Sequence, residues 1–157
     1  MAEKGVKYIE TAFIDEQDEK RQQEWRKVYD YILKKVTYLY GGKQLLLKSP
    51  ENTCRIGALK KMLSGEQKFI NIYRNPYTVV MSTINMFTKE MGLFCLNEPA
   101  SHQVIEDVTI DLFERIYKKA FRELDAMPPE DYIDIKYEDF CKDPEGYDQT
   151  DLRSSWH

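Results

Sequence analysis

Cysteine and histidine are scarce in this sequence of 157 residues, which contains three cysteines and two histidines. The cysteines, Cys54, Cys95 and Cys141, are an odd and scattered set without the spacing of metal ligands. The histidines, one of them the terminal His157, complete no zinc motif. We therefore expect no structural metal, and a reducing compartment such as the cytoplasm.

The sequence also lacks a long apolar run, an excess of positive charge and a phosphate-binding P-loop, and each absence argues against a class of protein. No apolar run is long enough to cross a bilayer, and Met1-Ala2-Glu3-Lys4 does not begin a signal peptide, so we expect a soluble chain with no membrane span. A net charge of −4 argues against a nucleic-acid partner, which normally requires a broad basic face. No glycine-rich loop ends in Lys-Ser or Lys-Thr, which argues against a P-loop kinase.

The composition that remains is that of a globular protein. Hydrophobic residues make up 42% and charged residues 32%, and 11 tyrosines supply large side chains for a core. The length fits one domain. Any binding of anions must therefore depend on positive charge that is concentrated locally.

Two short apolar runs each end in a positive charge, a polar residue and a proline. They are Leu45-Leu46-Leu47 before Lys48-Ser49-Pro50, and Phe69-Ile70-Asn71-Ile72-Tyr73 before Arg74-Asn75-Pro76. Each run has the length of a strand and is apolar on both sides of the alternation, which is typical of strands buried in a parallel sheet. The sequence thus predicts a strand, a tight turn and a helix, twice over.

Each proline is well placed to begin a helix, with Ser49 and Asn75 as the N-caps. A helix that begins at the carboxyl end of a parallel strand offers free backbone N–H groups and the positive end of its dipole. Lys48 and Arg74 would add a full positive charge beside each helix start. This pattern predicts a phosphate or sulfate site.

The other elements follow from periodicity and from helix-stop signals. We predict an arm over 1–14, an amphipathic helix over 15–40, and helices over 49–63, 76–91 and 101–126. A loop over 92–100 separates the last two, and a third strand spans 132–137. The fold class is therefore α/β, with a parallel sheet of about three strands flanked by helices.

Three segments, in order, resemble the sulfotransferases that use 3′-phosphoadenosine 5′-phosphosulfate (PAPS). Arg74-Asn75-Pro76, with Ser82 eight positions after the arginine, resembles the segment that binds the 3′-phosphate. Lys48-Ser49-Pro50 resembles the Lys-Ser-Pro segment of one broad branch, and Tyr137-Glu138-Asp139 resembles the family's Tyr-Glu-Asp segment. The resemblance covers roughly residues 8–146. It implies a partial sulfotransferase domain over 1–146, with a βαβα core over 44–140, and a polar tail over 147–157.

The resemblance implies a fold like that of P-loop NTPases and transfer of a sulfuryl group from PAPS to a hydroxyl or amine. It gives Lys48 the catalytic role of stabilising the bridging oxygen and the sulfuryl group. Arg74 and Ser82 would bind the 3′-phosphate of PAPS or of its product, 3′-phosphoadenosine 5′-phosphate (PAP), and Tyr137 would lie at the adenine. Ser49 is also assigned to cofactor binding. The expected partners are PAPS, PAP and an unidentified acceptor, with no metal.

The sequence also departs from the family pattern. The glycine-rich, Arg-Ser-Gly-Thr-like loop that cradles the 5′-phosphosulfate is missing before Lys48, and Pro50 stands where the cytosolic branch has a catalytic histidine. Glu10 and Glu24 are the nearest alternatives for a base. The chain thus resembles a domain shortened at both ends, and a missing sheet edge would favour self-association. The alternative function is a non-catalytic remnant that binds the 3′-phosphoadenosine nucleotide.

Each site residue also has a structural interpretation. Arg74 could pair with a helical carboxylate, Ser82 could be buried against the sheet, and Tyr137 could be a core residue. Lys48 could be an exposed lysine at a strand end, and Arg55 could face either the anion pocket or solvent. Glu138 and Asp139 could orient neighbouring backbone or cap the next turn of the chain.

Overall fold

The computed structural model describes residues 9–94 and 100–146, without the side chains of 91–94. Contacts divide these residues into two compact units, 9–64 and 65–146, and each unit is described by itself. The tail predicted over 147–157, and most of the predicted arm, lie outside the described residues.

The unit 9–64 is built on helix α1, Glu19–Leu39, which is present where the apolar periodicity predicts a helix. It begins at Asp18, whose carboxylate accepts a hydrogen bond from the backbone N–H of Arg21 at 3.0 Å. It ends before Gly41 and Gly42, whose backbone φ angles of +67° and +80° are rarely adopted by L-amino acids that carry a side chain.

A short 3-10 helix, Ile14–Glu16, precedes α1, and a second one, Pro50–Cys54, leads into helix α2, Ile56–Met62. The buried side chains of this unit come from the two 3-10 helices, from α2 and from Phe13. Helix α1 has no buried residue, and Val28 and Ile32 of its apolar stripe are 59% and 50% exposed.

The strand predicted over Leu45–Leu47 is wrong. Residues 43–49 form neither helix nor strand, and Leu46 is 80% exposed. The physical reason is that a strand needs a neighbour for its backbone N–H and C=O groups, and no strand pairs with this segment in the part of the chain described. The continuous helix predicted over 49–63 is also interrupted, because Arg55 leaves helical geometry with φ −123° and ψ 13°.

The unit 65–146 contains a two-stranded parallel sheet, with β1 at Phe69–Tyr73 and β2 at Tyr132–Lys136. The register pairs Phe69 with Tyr132 and Tyr73 with Lys136. The crossover between the strands carries helices α3, Pro76–Phe94, and α4, His102–Asp125, which pack against each other. A short helix α5, Tyr137–Phe140, follows β2.

Helix α4 starts and stops where local signals place its ends. The hydroxyl of Ser101 accepts a hydrogen bond from the N–H of Val104 at 3.4 Å, and the helix ends ahead of Pro128. Helix α3 continues through 92–94, which the sequence predicts to be loop, and the rest of that loop lies largely outside the described residues. The buried side chains of this unit are Ile84, Ile105, Thr109, Lys119, Ala120, Leu124, Met127 and Ile135.

The fold is therefore α/β with a small parallel sheet, consistent with an incomplete sheet of the predicted class. Because the strands are parallel, both carboxyl ends lie at the same edge of the sheet. Among the described helices, none combines the length and the apolar character needed to cross a bilayer.

Candidate functional site

The carboxyl ends of β1 and β2 bring Arg74 and Tyr137 together. The last paired residues of the ladder are Tyr73 and Lys136, so the next residues along each chain are neighbours. The guanidinium carbon of Arg74 lies 4.9 Å from the centroid of the Tyr137 ring, which is a cation–π contact. Two residues that were assigned separately from the sequence are thus in contact with each other.

The start of helix α3 is already capped by its own side chain. Asn75 Oδ1 accepts hydrogen bonds from the N–H groups of Tyr77 at 3.0 Å and Thr78 at 3.4 Å. The carbonyl of Asn75 accepts from Val79 at 3.2 Å, and Pro76 has no N–H. The expectation of free backbone N–H groups at this helix start is therefore wrong. An anion held here would depend on side chains and on the helix dipole.

The side chain of Arg74 is exposed, and within the described residues its guanidinium makes no hydrogen bond or ion pair. Pairing with a helical carboxylate, the structural alternative, does not occur in that part of the chain. Its positive charge contributes to lowering the pKa of Glu138, after two larger contributions from backbone N–H groups. Among the described residues, only the Tyr137 ring orients the guanidinium of Arg74, whose five N–H donors can meet a phosphate bidentately.

Ser82 is the seventh residue of α3 and is exposed, so burial against the sheet, its structural alternative, is wrong. Its hydroxyl has no hydrogen-bond partner among the described residues. It lies about 9 Å along the helix axis from Pro76, at 1.5 Å per residue. A long arginine side chain and a hydroxyl at this spacing could hold one anion between them.

Tyr137 is 39% exposed, so the core role considered for it is wrong. The pKa of Tyr137 is raised, first by the hydrogen bond with the side chain of Cys141 and then by its electrostatic interaction with the same side chain, while Arg74 acts in the opposite direction. The phenol is thus neutral at physiological pH. Sequence reasoning missed Cys141, although its position four residues after Tyr137 on a helix was the signal.

The side chain of Glu138, just after β2, is hydrogen-bonded to the backbone just after β1. Its Oε1 accepts a hydrogen bond from the N–H of Asn75 at 3.2 Å, and its Oε2 is buried without a partner among the described residues. The pKa of this carboxyl is lowered by its own backbone N–H and by that of Asn75, and further by Lys136 and Arg74. Asp139 instead forms an ion pair with Lys142 at 2.8 Å and takes no part in this link.

Lys48 and Ser49 belong to the unit 9–64. Lys48 is exposed, and Ser49 donates its hydroxyl hydrogen to the carboxylate of Glu51 instead of capping the helix after it. This bond is the main cause of the lowered pKa of Glu51. The N-cap predicted at Ser49 is therefore wrong, and the five-residue 3-10 helix from Pro50 carries only a short dipole.

Arg55 holds the chain that precedes α1. Its Nε donates to the carbonyl of Ala12 at 2.8 Å and its Nη2 to that of Thr11 at 3.3 Å, and its guanidinium lies 5.8 Å from the Trp25 ring centroid. A role in the anion pocket is therefore wrong for Arg55. Glu10 and Glu24, the alternatives for a base, also lie in this unit, before α1 and on it.

An exposed arginine between a parallel strand and the following helix, with an exposed hydroxyl about two turns into that helix, gives an α/β protein side-chain donors and a helix dipole that suit a phosphate or sulfate group. Comparison with known proteins agrees with this class. Residues 3–149 match the sequence profile described as the Sulfotransferase family, and the chain therefore belongs to the sulfotransferase family. The family predicted from the sequence is confirmed, and the particular branch stays a prediction.

Two curated relatives were found. The chain is 28% identical over 122 residues to the protein named omega-hydroxy-beta-dihydromenaquinone-9 sulfotransferase Stf3 of Mycobacterium bovis, and equally to the protein of that name of Mycobacterium tuberculosis. The aligned region covers 78% of this chain and 31% of each relative. The chain thus spans less than a third of the length of these relatives. No solved structure matches it.

Proposed function

We propose that this chain contributes the 3′-phosphoadenosine site of a sulfotransferase that uses PAPS as its donor. The observation that supports the proposal is the environment of Arg74. Its side chain is exposed, has no polar partner among the described residues, and lies over the Tyr137 ring at the edge of the sheet where both parallel strands end. A guanidinium suits the 3′-phosphate, and an aromatic ring beside it suits the adenine.

In the proposed reaction an acceptor oxygen or nitrogen attacks the sulfur of PAPS, the bond from sulfur to the 5′-phosphate oxygen breaks, and PAP leaves. The acceptor proton passes to a general base that must come from elsewhere than position 50, where the cytosolic branch has its histidine; Glu10 and Glu24 are upstream carboxylates, and neither is assigned to that role. Arg74 and Ser82 bind the 3′-phosphate, Tyr137 lies against the adenine, and Ser49 assists nucleotide binding. Lys48 offsets the negative charge that develops on the bridging oxygen.

The name of the curated relatives supports a choice of acceptor class to test. That name specifies an omega-hydroxy compound for the mycobacterial proteins. We therefore propose that a hydroxyl, rather than an amine, is the first acceptor to test here.

The test is a calorimetric titration of the full chain with PAP, with adenosine 5′-phosphate as the control that lacks a 3′-phosphate. Arg74→Ala should weaken PAP binding by about 10- to 150-fold, which corresponds to a hydrogen bond to a charged group of about 1.5–3 kcal/mol. Binding of adenosine 5′-phosphate should not change. Arg122→Ala removes the same charge from an exposed position of α4 and serves as the matched control. Equal PAP affinity of wild type and Arg74→Ala would refute the site.

A second candidate is a non-catalytic binding module, because the two residues in contact at the strand ends, Arg74 and Tyr137, suit the 3′-phosphoadenosine half of PAPS. Such a module would bind PAP and transfer nothing. Incubation with sulfur-labelled PAPS and a panel of alcohols separates the two functions. Labelled product supports the transferase, whereas Arg74-dependent PAP binding without product supports the binding module.

A further inference from the structure

The backbone around Arg74 is held on both sides. On one side, Tyr73 is the last residue of β1 in the parallel ladder and is paired with Lys136. On the other side, the N–H of Asn75 lies beyond the ladder and would have no sheet partner. Glu138 accepts that N–H at 3.2 Å, from a position 63 residues further along the chain. The link between the strand ends thus continues past the last ladder pair.

The hydrogen bond between Glu138 and Asn75 restricts the backbone of Arg74, and thereby the direction in which its side chain projects. With Tyr73 paired in the sheet and Asn75 bound to Glu138, the residue between them cannot change its backbone direction without breaking one of these links. The side chain of Asn75 fixes the start of α3 at the same point, through the N–H groups of Tyr77 and Thr78. In the described part of the chain the guanidinium has a ring contact and no polar one, so its placement depends on this backbone.

The carboxylate of Glu138 has two opposing effects on a bound anion. Its oxygen holds the backbone that carries Arg74, whereas its negative charge repels a phosphate. Lys136 and Arg74 are the positive groups that act on this carboxyl, and its pKa is lowered, so it is ionised at neutral pH. Replacement by glutamine keeps an acceptor oxygen and removes the charge, which separates the two effects.

We propose that Glu138 is a positioning residue for the nucleotide site, acting through the backbone N–H of Asn75 to orient Arg74. This inference rests on the proposed function, because the anion that Arg74 would bind is the 3′-phosphate. Asp139, the adjacent carboxylate, has no such role, since it pairs with Lys142 within its own segment.

The experiment compares the full wild-type chain with Glu138→Ala, Glu138→Gln and the control Asp139→Ala. Amide hydrogen exchange of Asn75 by NMR reports the bond itself and needs no nucleotide. We expect exchange at least about fivefold faster in Glu138→Ala, the factor that corresponds to one net hydrogen bond, and little change in Glu138→Gln and Asp139→Ala. PAP titration should show about fivefold weaker binding for Glu138→Ala, wild-type or tighter binding for Glu138→Gln, and no change for Asp139→Ala.

The outcomes distinguish the two proposals. If the folded wild-type chain does not bind PAP, the proposed function fails, while Asn75 exchange still tests the bond. If wild type binds PAP and Glu138→Ala binds it equally well, the positioning role is overturned. If Glu138→Ala does not fold, Glu138→Gln decides: wild-type or tighter PAP binding with protected Asn75 supports the role, and weaker binding or faster exchange overturns it.

Discussion

Replacing Asn75 should separate the stability of helix α3 from the binding of an anion beside it. In Asn75→Ala the acceptor of the Tyr77 and Thr78 N–H groups is lost, at the start of a helix of 19 residues. Asn75→Asp keeps an acceptor oxygen at the same place and adds a negative charge. The two variants therefore remove different properties of one side chain.

The expected magnitude follows from the exposure of this cap. Because Asn75, Tyr77 and Thr78 are exposed, water can replace part of the hydrogen bonding that the Asn75 side chain provides. Replacement of an N-cap by alanine then lowers the free energy of unfolding by about 1 kcal/mol. For a chain of this length that free energy corresponds to a fall in Tm of roughly 2–4 °C. In Asn75→Asp the favourable dipole interaction is offset by repulsion from Glu138, so we expect stability close to wild type.

Binding should show the reverse order. A second carboxylate beside Arg74 opposes a phosphate, so we expect Asn75→Asp to bind PAP less tightly than Asn75→Ala does. The measurements are urea unfolding followed by circular dichroism, and calorimetric titration with PAP.

Asn85→Ala is the matched control, since Asn85 is exposed in the interior of α3. There alanine is the better helix former, and a gain of about 0.5 kcal/mol is expected. If Asn75→Ala and Asn85→Ala unfold at the same urea concentration, the reasoning about the cap is refuted.

Three further predictions concern the unit 65–146. The side chain of Lys119 is 5% exposed and forms an ion pair with Glu123, whose side chain is 16% exposed. Lys119→Met should therefore lower the free energy of unfolding in urea by about 3 kcal/mol, and the double variant Lys119→Met/Glu123→Leu should recover most of that loss. Equal stability of the single and the double variant would contradict this prediction. Leu124→Ala, at a position 4% exposed, should cost about 2–5 kcal/mol, and a loss below 1 kcal/mol would place Leu124 outside the core. Because the folded-state pKa of Glu138 is lowered, its stabilisation is present above the unfolded-state pKa of about 4.3 and is lost as pH falls through the folded value. The stability difference between wild type and Glu138→Gln should therefore shrink between pH 7 and pH 3, and a constant difference would contradict the assignment.

Much of the local structure could be predicted from the sequence. The strand at Phe69–Tyr73 and the helix at His102–Asp125 coincide with their predictions to within about one residue, because alternation, helical periodicity and caps are local properties. The motif that led to the family is also local, since Arg74, Pro76 and Ser82 occur within nine positions of one another.

Several of the expectations that were wrong concern the partner of a group. Leu45–Leu47 has the composition of a strand and finds no strand to pair with among the described residues. Ser49 has the side chain of an N-cap and binds Glu51 instead, and Arg55 is held by two backbone carbonyls. The N–H groups at the start of α3 are taken by Asn75. Residue type indicates which bonds are available, whereas competition between nearby partners decides which are made.

The sequence by itself thus determined the family, the local elements and the residue types at the candidate site. Only the tertiary structure decided that Tyr137 lies 4.9 Å from Arg74 and that Glu138 accepts the N–H of Asn75. These contacts join segments 63 residues apart, and they depend on the parallel register of β1 and β2. A shift of that register by one residue would move one chain by about 3.3 Å along the other and separate both pairs.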